Sequence, residues 1–289
     1  MMSMLRALIR RLYVYHRSVE ITRWLEDLRR TPRALEPLRL TRFGQKAFSQ
    51  SDEDGMILEV FNRIGAESQR FAEFGVEEGV ECNTALLLVS GWRGLWMDAS
   101  SRHVARIRSR HADAVTRGAL DVRLASINAE NIDGLLAGWS GGTAAAPAQI
   151  DLLSIDIDGN DYWVWQAIKS VSARVVVIEY NATYPPPVEF VRTYDPSARW
   201  RGDDYFGASL TSFEKLGREL GYSLVGCSLS GANAFFVRDD NLAGPDGVAR
   251  FHAPYTAEEH FEPPRYQLTW LQAGHPPRFG ANAAPGLGR

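Results

Sequence analysis

Cysteine is nearly absent: Cys82 and Cys227 are the only two in 289 residues. Two cysteines cannot build a disulfide framework or a zinc site of the usual spacing, so a reducing cytoplasm is the expected setting. Long apolar runs are also missing. Nothing approaches the roughly 18 consecutive apolar residues of a membrane span. The first residues, MMSMLRALIRRLYVYHR, lack the apolar centre of a secretory signal because Arg6, Arg10 and Arg11 interrupt it. There is no internal repeat. There is no large excess of base either: the net charge is -3, which gives no general case for nucleic acid as a partner.

That near-neutral average hides an asymmetry. Residues 1–46 hold 11 Lys or Arg against 4 Asp or Glu, so the remainder of the chain is acidic. Leu5, Leu8, Ile9, Leu12 and Tyr13 recur at helical spacing with arginines between them, which predicts a basic amphipathic helix. Such a helix can dock on an anionic surface, here the inner face of the membrane, or on a polyanionic partner. It can equally pack on its own domain or on a second subunit, making a homo-oligomer. Residues 31–40, with Pro32 and Pro37, read as a linker.

From residue 49 the pattern becomes regular. Ser51, Asp52, Glu53 and Asp54 are placed to cap a helix through Met56, Ile57, Val60, Phe61 and Ile64. Strands are expected at 71–76, 94–99, 121–127, 150–157 and 173–180, with helices between them. The run ARVVVIEY has the composition of a strand buried on both faces. Two further strands, 223–229 and 232–238, are joined by a turn too short for anything but a hairpin. The expected fold is therefore α/β: a doubly wound, mostly parallel, Rossmann-like seven-stranded sheet with an antiparallel C-terminal hairpin and an N-terminal helical extension. The expected division is a basic extension and linker at 1–46, the α/β domain at 47–240 and a C-terminal extension at 241–289. In the last of these Pro, Gly and His are frequent and periodicity is weak.

Ligands of such sheets bind beyond the carboxyl ends of the strands, and four of the predicted strands end in polar residues. The first end reads Glu73-Phe74-Gly75-Val76-Glu77-Glu78-Gly79. Its glycines allow a ligand to approach the backbone. The spacing lacks the third glycine of a dinucleotide loop, and three carboxylates would repel a pyrophosphate. They suit a ligand with a cationic end. Asp98, followed by Ala99, ends the next strand; a carboxylate there can accept both hydroxyls of a ribose, or cap the helix that follows. Ser126 and Asn128, at the third end, can frame a base edge or cap a helix. The fourth end, Ser154-Ile-Asp156-Ile-Asp158-Gly-Asn160-Asp161, carries more acids than capping requires, and acids cluster there only if a cation, a donor or a substrate meets them. The fifth ends in Glu179-Tyr180-Asn181.

Together these residues resemble the class I S-adenosylmethionine (SAM)-dependent methyltransferases over roughly residues 71–238. EFGVEEG looks like their cofactor motif, Asp98 stands where their ribose-binding acid stands, and the hairpin looks like their last two strands. The segments DLLSIDIDGNDYWVW and VVVIEYN look most like FkbM-type O-methyltransferases of sugars and natural products. The resemblance implies SAM held by Glu73, Phe74, Gly75, Gly79, Asp98, Ala99, Ser126 and Asp156. It implies methylation of a small-molecule or glycan hydroxyl. Gly75→Val is then expected to abolish cofactor binding with the fold intact. A second likeness, to metal-dependent O-methyltransferases of the catechol and macrocin types, implies Mg²⁺ held by Asp156, Asp158, Glu179 and Asn181. Here the fifth-strand acid is Glu, Tyr180 separates it from the Asn, and Gly159 stands where catechol-type enzymes place a lysine. A hydroxyl needs a general base or a metal to become a nucleophile. Asp158 is the first candidate base, followed by His103, Asp203 and Asp204. The aromatic, Pro-rich loop 184–207 is either an acceptor lid or an ordinary surface loop. The rival readings are a non-catalytic binding module on the same fold and a nicotinamide-dependent oxidoreductase.

Overall fold

A computed structural model of the protein describes residues 2–197 and 199–266. The end of the C-terminal extension, 267–289, lies outside the described residues. The α/β region comprises α3 (Glu53–Ile64), β1 (Arg70–Phe74), α4 (Ala85–Val89), β2 (Arg93–Asp98), α5 (Ser101–Arg110), α6 (Ala112–Thr116), β3 (Leu120–Leu124), α7 (Ile132–Ser140), β4 (Ala148–Ile155), α8 (Asp161–Ala167), β5 (Val171–Glu179), α9 (Leu210–Glu219), β6 (Tyr222–Cys227) and β7 (Asn233–Arg238). Ahead of it stand α1 (Met2–Arg29) and α2 (Pro32–Leu35), and behind it α10 (Ala257–His260).

The seven strands form one sheet in the order β3-β2-β1-β4-β5-β7-β6. The pairs among β1 to β5 are all parallel. Only β7 runs against its neighbours, inserted between β5 and β6. The doubly wound sheet with its antiparallel C-terminal hairpin is thus the expected one.

Side-chain alternation explains why this sheet is covered on both faces. Val175 and Val177 of β5 point into one apolar cluster with Met56, Val60, Phe71 and Trp96. Val176 and Ile178 point into the other, with Trp165, Phe213 and Phe236. All four valine and isoleucine side chains are inaccessible to solvent.

The parallel strands all deliver their carboxyl ends to one edge. The opposite edge is closed by a structural ion pair. Asp151 on β4 accepts the backbone N–H groups of Glu67, Ser68 and Gln69 and meets Arg174 of β5 at 3.1 Å. That acid is accounted for by the turn it holds.

Two expectations about the flanks change. The acids before α3 do not cap it with their side chains. Asp54 instead gathers the N–H groups of Ala47, Phe48 and Ser49, Glu53 reaches Asn233, and Asp52 accepts from Leu229. They fold the preceding loop against the β6–β7 turn. The predicted linker also packs: Leu40 is 1% exposed and joins the core, and the buried Arg39 binds the carbonyl of Glu259 and pairs with its carboxylate. The predicted basic helix extends to Arg29. Leu5, Ile9, Leu12 and Tyr13 stay exposed, while Ile21, Leu25 and Leu28 wall a cavity of about 580 Å³ against the body.

The C-terminal extension carries a titration consequence. His260 is buried, its Nε2 has no hydrogen-bond partner among the described residues, and burial together with Arg39, His252 and Arg33 pushes its pKa down to about 3. The folded protein therefore keeps His260 neutral at pH values where the unfolded chain takes up a proton, near 6.5. Stability is unaffected above that pH and falls as the pH drops from it towards 3. Between pH 7 and pH 5 this one group should remove about 2 kcal/mol. Urea unfolding at both pH values checks this: His260→Gln should show a pH dependence smaller by about that amount, and parallel curves would rule it out.

Candidate active site

The glycine turn after β1 is shaped by close approach. Gly75 has φ +74°, and a Cβ there would stand 1.6 Å from the carbonyl oxygen of Asp156. Gly79, at φ +67°, faces Ile107 and Trp96 at 3.1 Å. The turn thus lies directly on the end of β4. Phe74 is wholly buried, so only its backbone faces the turn.

Glu73 is committed differently from the expected ligand contact. Its carboxylate accepts the N–H groups of Asn83 at 2.8 Å and Thr84 at 3.0 Å and the Thr84 hydroxyl at 2.5 Å. Burial raises its pKa in spite of those donors. It ties β1 to the segment leading into α4, and this occupies the carboxylate that the sequence had offered to a cationic ligand.

Asp98 is held firmly at the end of β2. One oxygen accepts Glu77 N–H at 2.9 Å; the other accepts Ser100 N–H at 2.7 Å and lies 3.1 Å from His103 Nδ1. A carboxylate offers about four acceptor positions. One remains open, and a second opens if His103 gives way. The helix cap itself is Ser100, not Asp98. His103 sits beside Asp98, with β1 between that strand and β4. It is two strands from the Asp158 end of the edge, which separates it from the other proposed bases.

Ala99 and Ser126 are exposed at the same edge. Ser126 contributes its carbonyl to Asn131, and Asn128 and Asn131 cross-bond each other's backbone at 3.0 and 2.9 Å. Asn128 therefore serves the turn into α7.

The acids after β4 and β5 converge. Oxygens of Asp156, Asp158 and Glu179 all lie within 4.8 Å of one another. Burial, then the charge of Asp158, raises Asp156 well above the usual carboxylate range. Burial followed by Asp156 does the same to Glu179. Asp158 has its outer side open to solvent, yet the surrounding protein, Asp161 and Glu77 push it up to about 6. Asp158 also has φ +58°, an uncommon conformation for a non-glycine residue. The turn is locked by Asp161, which accepts Ile157 N–H at 2.8 Å and Gly159 N–H at 2.9 Å. Glu179 Oε2 is buried with no hydrogen-bond partner among the described residues.

Asn181 departs from its predicted ligand role. Its amide donates to the carbonyls of Asp204 at 2.7 Å and Phe206 at 3.0 Å, and its oxygen accepts Thr183 N–H. It holds the returning end of loop 184–207. Asp204, predicted as a base, is buried in that loop. The loop is fastened over the site: Tyr194 bonds Glu130 and Ala129 N–H, and Asn160 donates to the carbonyl of Asp195 at 2.8 Å.

Two residues were not anticipated. Arg192 of this loop packs against Gly159. Burial, and after it the charges of nearby Glu179 and Asp156, raise the pKa of Tyr266 from the C-terminal extension. Neither carries a local motif; the aromatic richness of the loop was the only signal near Arg192.

The sheet order, the glycine turn and the carboxylate after β2 define an α/β protein of the class I methyltransferase fold. No family model matches the chain, and no curated protein matches it. Solved structures do match. Magnesium protoporphyrin IX methyltransferase (ChlM) from Synechocystis PCC 6803 with bound SAH is 11% identical over 65% of this chain and 82% of that one, at TM-score 0.42. The N-terminal domain of EvdMO1 with SAH bound is 15% identical over 73% of this chain and 94% of that one, also at 0.42. WbdD is 13% identical over 64% of this chain and 40% of its own, at 0.39. At these values the assignment of fold rests on the strand order itself.

Proposed function

We propose that the protein is a SAM-dependent O-methyltransferase acting on a hydroxyl of a sugar, polysaccharide or natural product. The observation that carries this reading is one of placement. The Gly75–Gly79 turn and Asp98 lie at one stretch of the sheet edge, and the Asp156–Asp158–Glu179 cluster lies beside them at the ends of β4 and β5. The turn, with Asp98, provides a cradle and a hydroxyl acceptor for a nucleoside. The cluster provides acids where an acceptor would meet the transferred methyl group. Methyl transfer is an in-line displacement, so holding both partners at near-attack distance is the principal task.

The acid cluster fits a hard divalent cation such as Mg²⁺. Its three donors are all carboxylates, they crowd one another, and Glu179 Oε2 is a buried oxygen without a partner. Asp156, Asp158 and Glu179 would hold the ion, without Asn181. An ion bound there would lower the pKa of an acceptor hydroxyl. Asp158, at the solvent side of the group and with a pKa near 6, is ionised at neutral pH and able to take the hydroxyl proton itself.

The test is direct binding. SAH should bind the purified protein, and NAD should not. Asp98→Asn removes the charge from the ribose contact and should weaken SAH by about 1.5–3 kcal/mol, roughly tenfold to a hundredfold. Calorimetric titration reads this. Unchanged SAH affinity in the variant, or NAD binding with no SAH binding, would refute the assignment.

A further inference from the structure

Among the described residues three arginines are buried: Arg39, Arg174 and Arg192. Two of them are saturated. Arg174 bonds Asp151, Asn241 and the carbonyls of Ile64 and Gly65. Arg39 bonds Glu259 and His252. Arg192, only 8% exposed, differs: its guanidinium makes no hydrogen bond or ion pair among the described residues. Its charge acts on Asp161 and Asp195 without a hydrogen bond to either, and the face of Tyr205 lies 5.7 Å away.

Nothing about its position is loose. Its backbone N–H donates to Gly207 and its carbonyl accepts from Trp163 Nε1 at 2.9 Å. The adjacent Val191 bridges Ala208. The side chain lies against the turn after β4, where a Cβ on Gly159 would come within 2.8 Å of Nη1. A guanidinium carries five N–H donors in a fixed fork. Enclosing those donors without hydrogen-bond acceptors is costly, and native proteins fill them. The nearest acid of that turn, Asp161, already spends its oxygens on Ile157 and Gly159.

We propose that Arg192 is an anion subsite, so that the acceptor carries a carboxylate or phosphate next to the hydroxyl it presents for methylation. The fork suits either oxyanion by paired charge-assisted bonds, and the Tyr205 ring, 5.7 Å away, flanks the guanidinium. The inference rests on the acceptor lying between loop 184–207 and the ends of β4 and β5. It narrows the acceptor from any hydroxylic compound to an acidic one, such as a uronic acid or a sugar phosphate.

The experiment compares glucose, glucuronate and glucose 6-phosphate as probes. Each is titrated by ligand-observed NMR against the full-length protein, with and without SAH and with EDTA present so that no bound cation holds the anion. At least one of the acids should bind tenfold or more tightly than glucose, and which one does so identifies the oxyanion. Arg192→Gln should erase the preference, and Arg192→Lys should retain part of it. Equal binding of all three probes to the wild-type protein overturns the inference, as does a preference that survives in Arg192→Gln. A wild-type protein that shows the preference and takes no SAH leaves the anion subsite standing and removes the methyltransferase reading. SAH binding without any preference does the reverse.

Discussion

Gly75→Ala is expected to lower the melting temperature by about 10 °C or more, and Gly75→Val to keep the protein from accumulating in a folded form. The sequence alone points to a different outcome, lost cofactor binding in an intact fold. The structure corrects that. At φ +74° any side chain is strained, and a Cβ would lie 1.6 Å from the carbonyl oxygen of Asp156. This contact involves backbone on both sides. β1 and β4 are paired immediately beneath it, Phe74 opposite Ile155, so no rotamer change relieves it. The strands must part, or the turn must leave its place. Strain of about 1–2 kcal/mol and overpacking of about 1–3 kcal/mol or more act together, against a total stability of about 5–15 kcal/mol for a typical domain. Circular dichroism melts and the soluble yield read the result. An alanine variant that melts within about 2 °C of the wild type would show that the close approach is absent.

The same residue shows which features were legible beforehand. The glycines after β1, the β-branched run 175–178 and the hairpin signal are local, and local chemistry fixes what they become. The run is apolar on successive residues because both faces of its strand are covered. The hairpin follows from its length and its turn. The partners of polar groups are a different matter, because they are set by chain segments that meet only after folding. Asn181 looked like a ligand beside Glu179, but loop residues 204–206 return to its amide. Glu73 looked open to a cofactor, but Asn83 and Thr84 fill its carboxylate. Arg192 reaches the turn after β4, and Tyr266 the acid cluster, from segments with no pattern of their own. His103 was grouped with Asp158 by chemistry, and the strand order places it with Asp98 instead.

Glu179→Gln is expected to reverse its effect on stability according to whether a divalent cation is present. In EDTA the wild-type protein holds Glu179 buried among Asp156 and Asp158, with Oε2 unpaired. Like charges at that spacing oppose one another, and a buried charge without a partner is unfavourable. Burial and Asp156 already hold Glu179 well above the usual carboxylate range; glutamine keeps the shape and never takes on the disfavoured charge, so the variant should melt at or above the wild-type temperature in EDTA. With Mg²⁺ or Mn²⁺ in about hundredfold excess over its dissociation constant, the wild type should gain about 2.7 kcal/mol. At about 2–4 °C per kcal/mol this is a rise of roughly 5–10 °C. The variant, with a neutral and weaker donor, should lose most of that gain, and the order of the two melting curves should invert. Mn²⁺ binding followed by electron paramagnetic resonance gives a second readout independent of turnover, and should weaken at least about tenfold. Methyl transfer adds the functional arm: it should cease in EDTA and return with Mg²⁺. Full transfer after exhaustive chelation, with no cation-dependent shift in either melting curve, would eliminate the ion and leave Asp158 as the group that takes the proton. Asp158→Asn would then be the variant that abolishes activity, while Glu179→Gln would retain it.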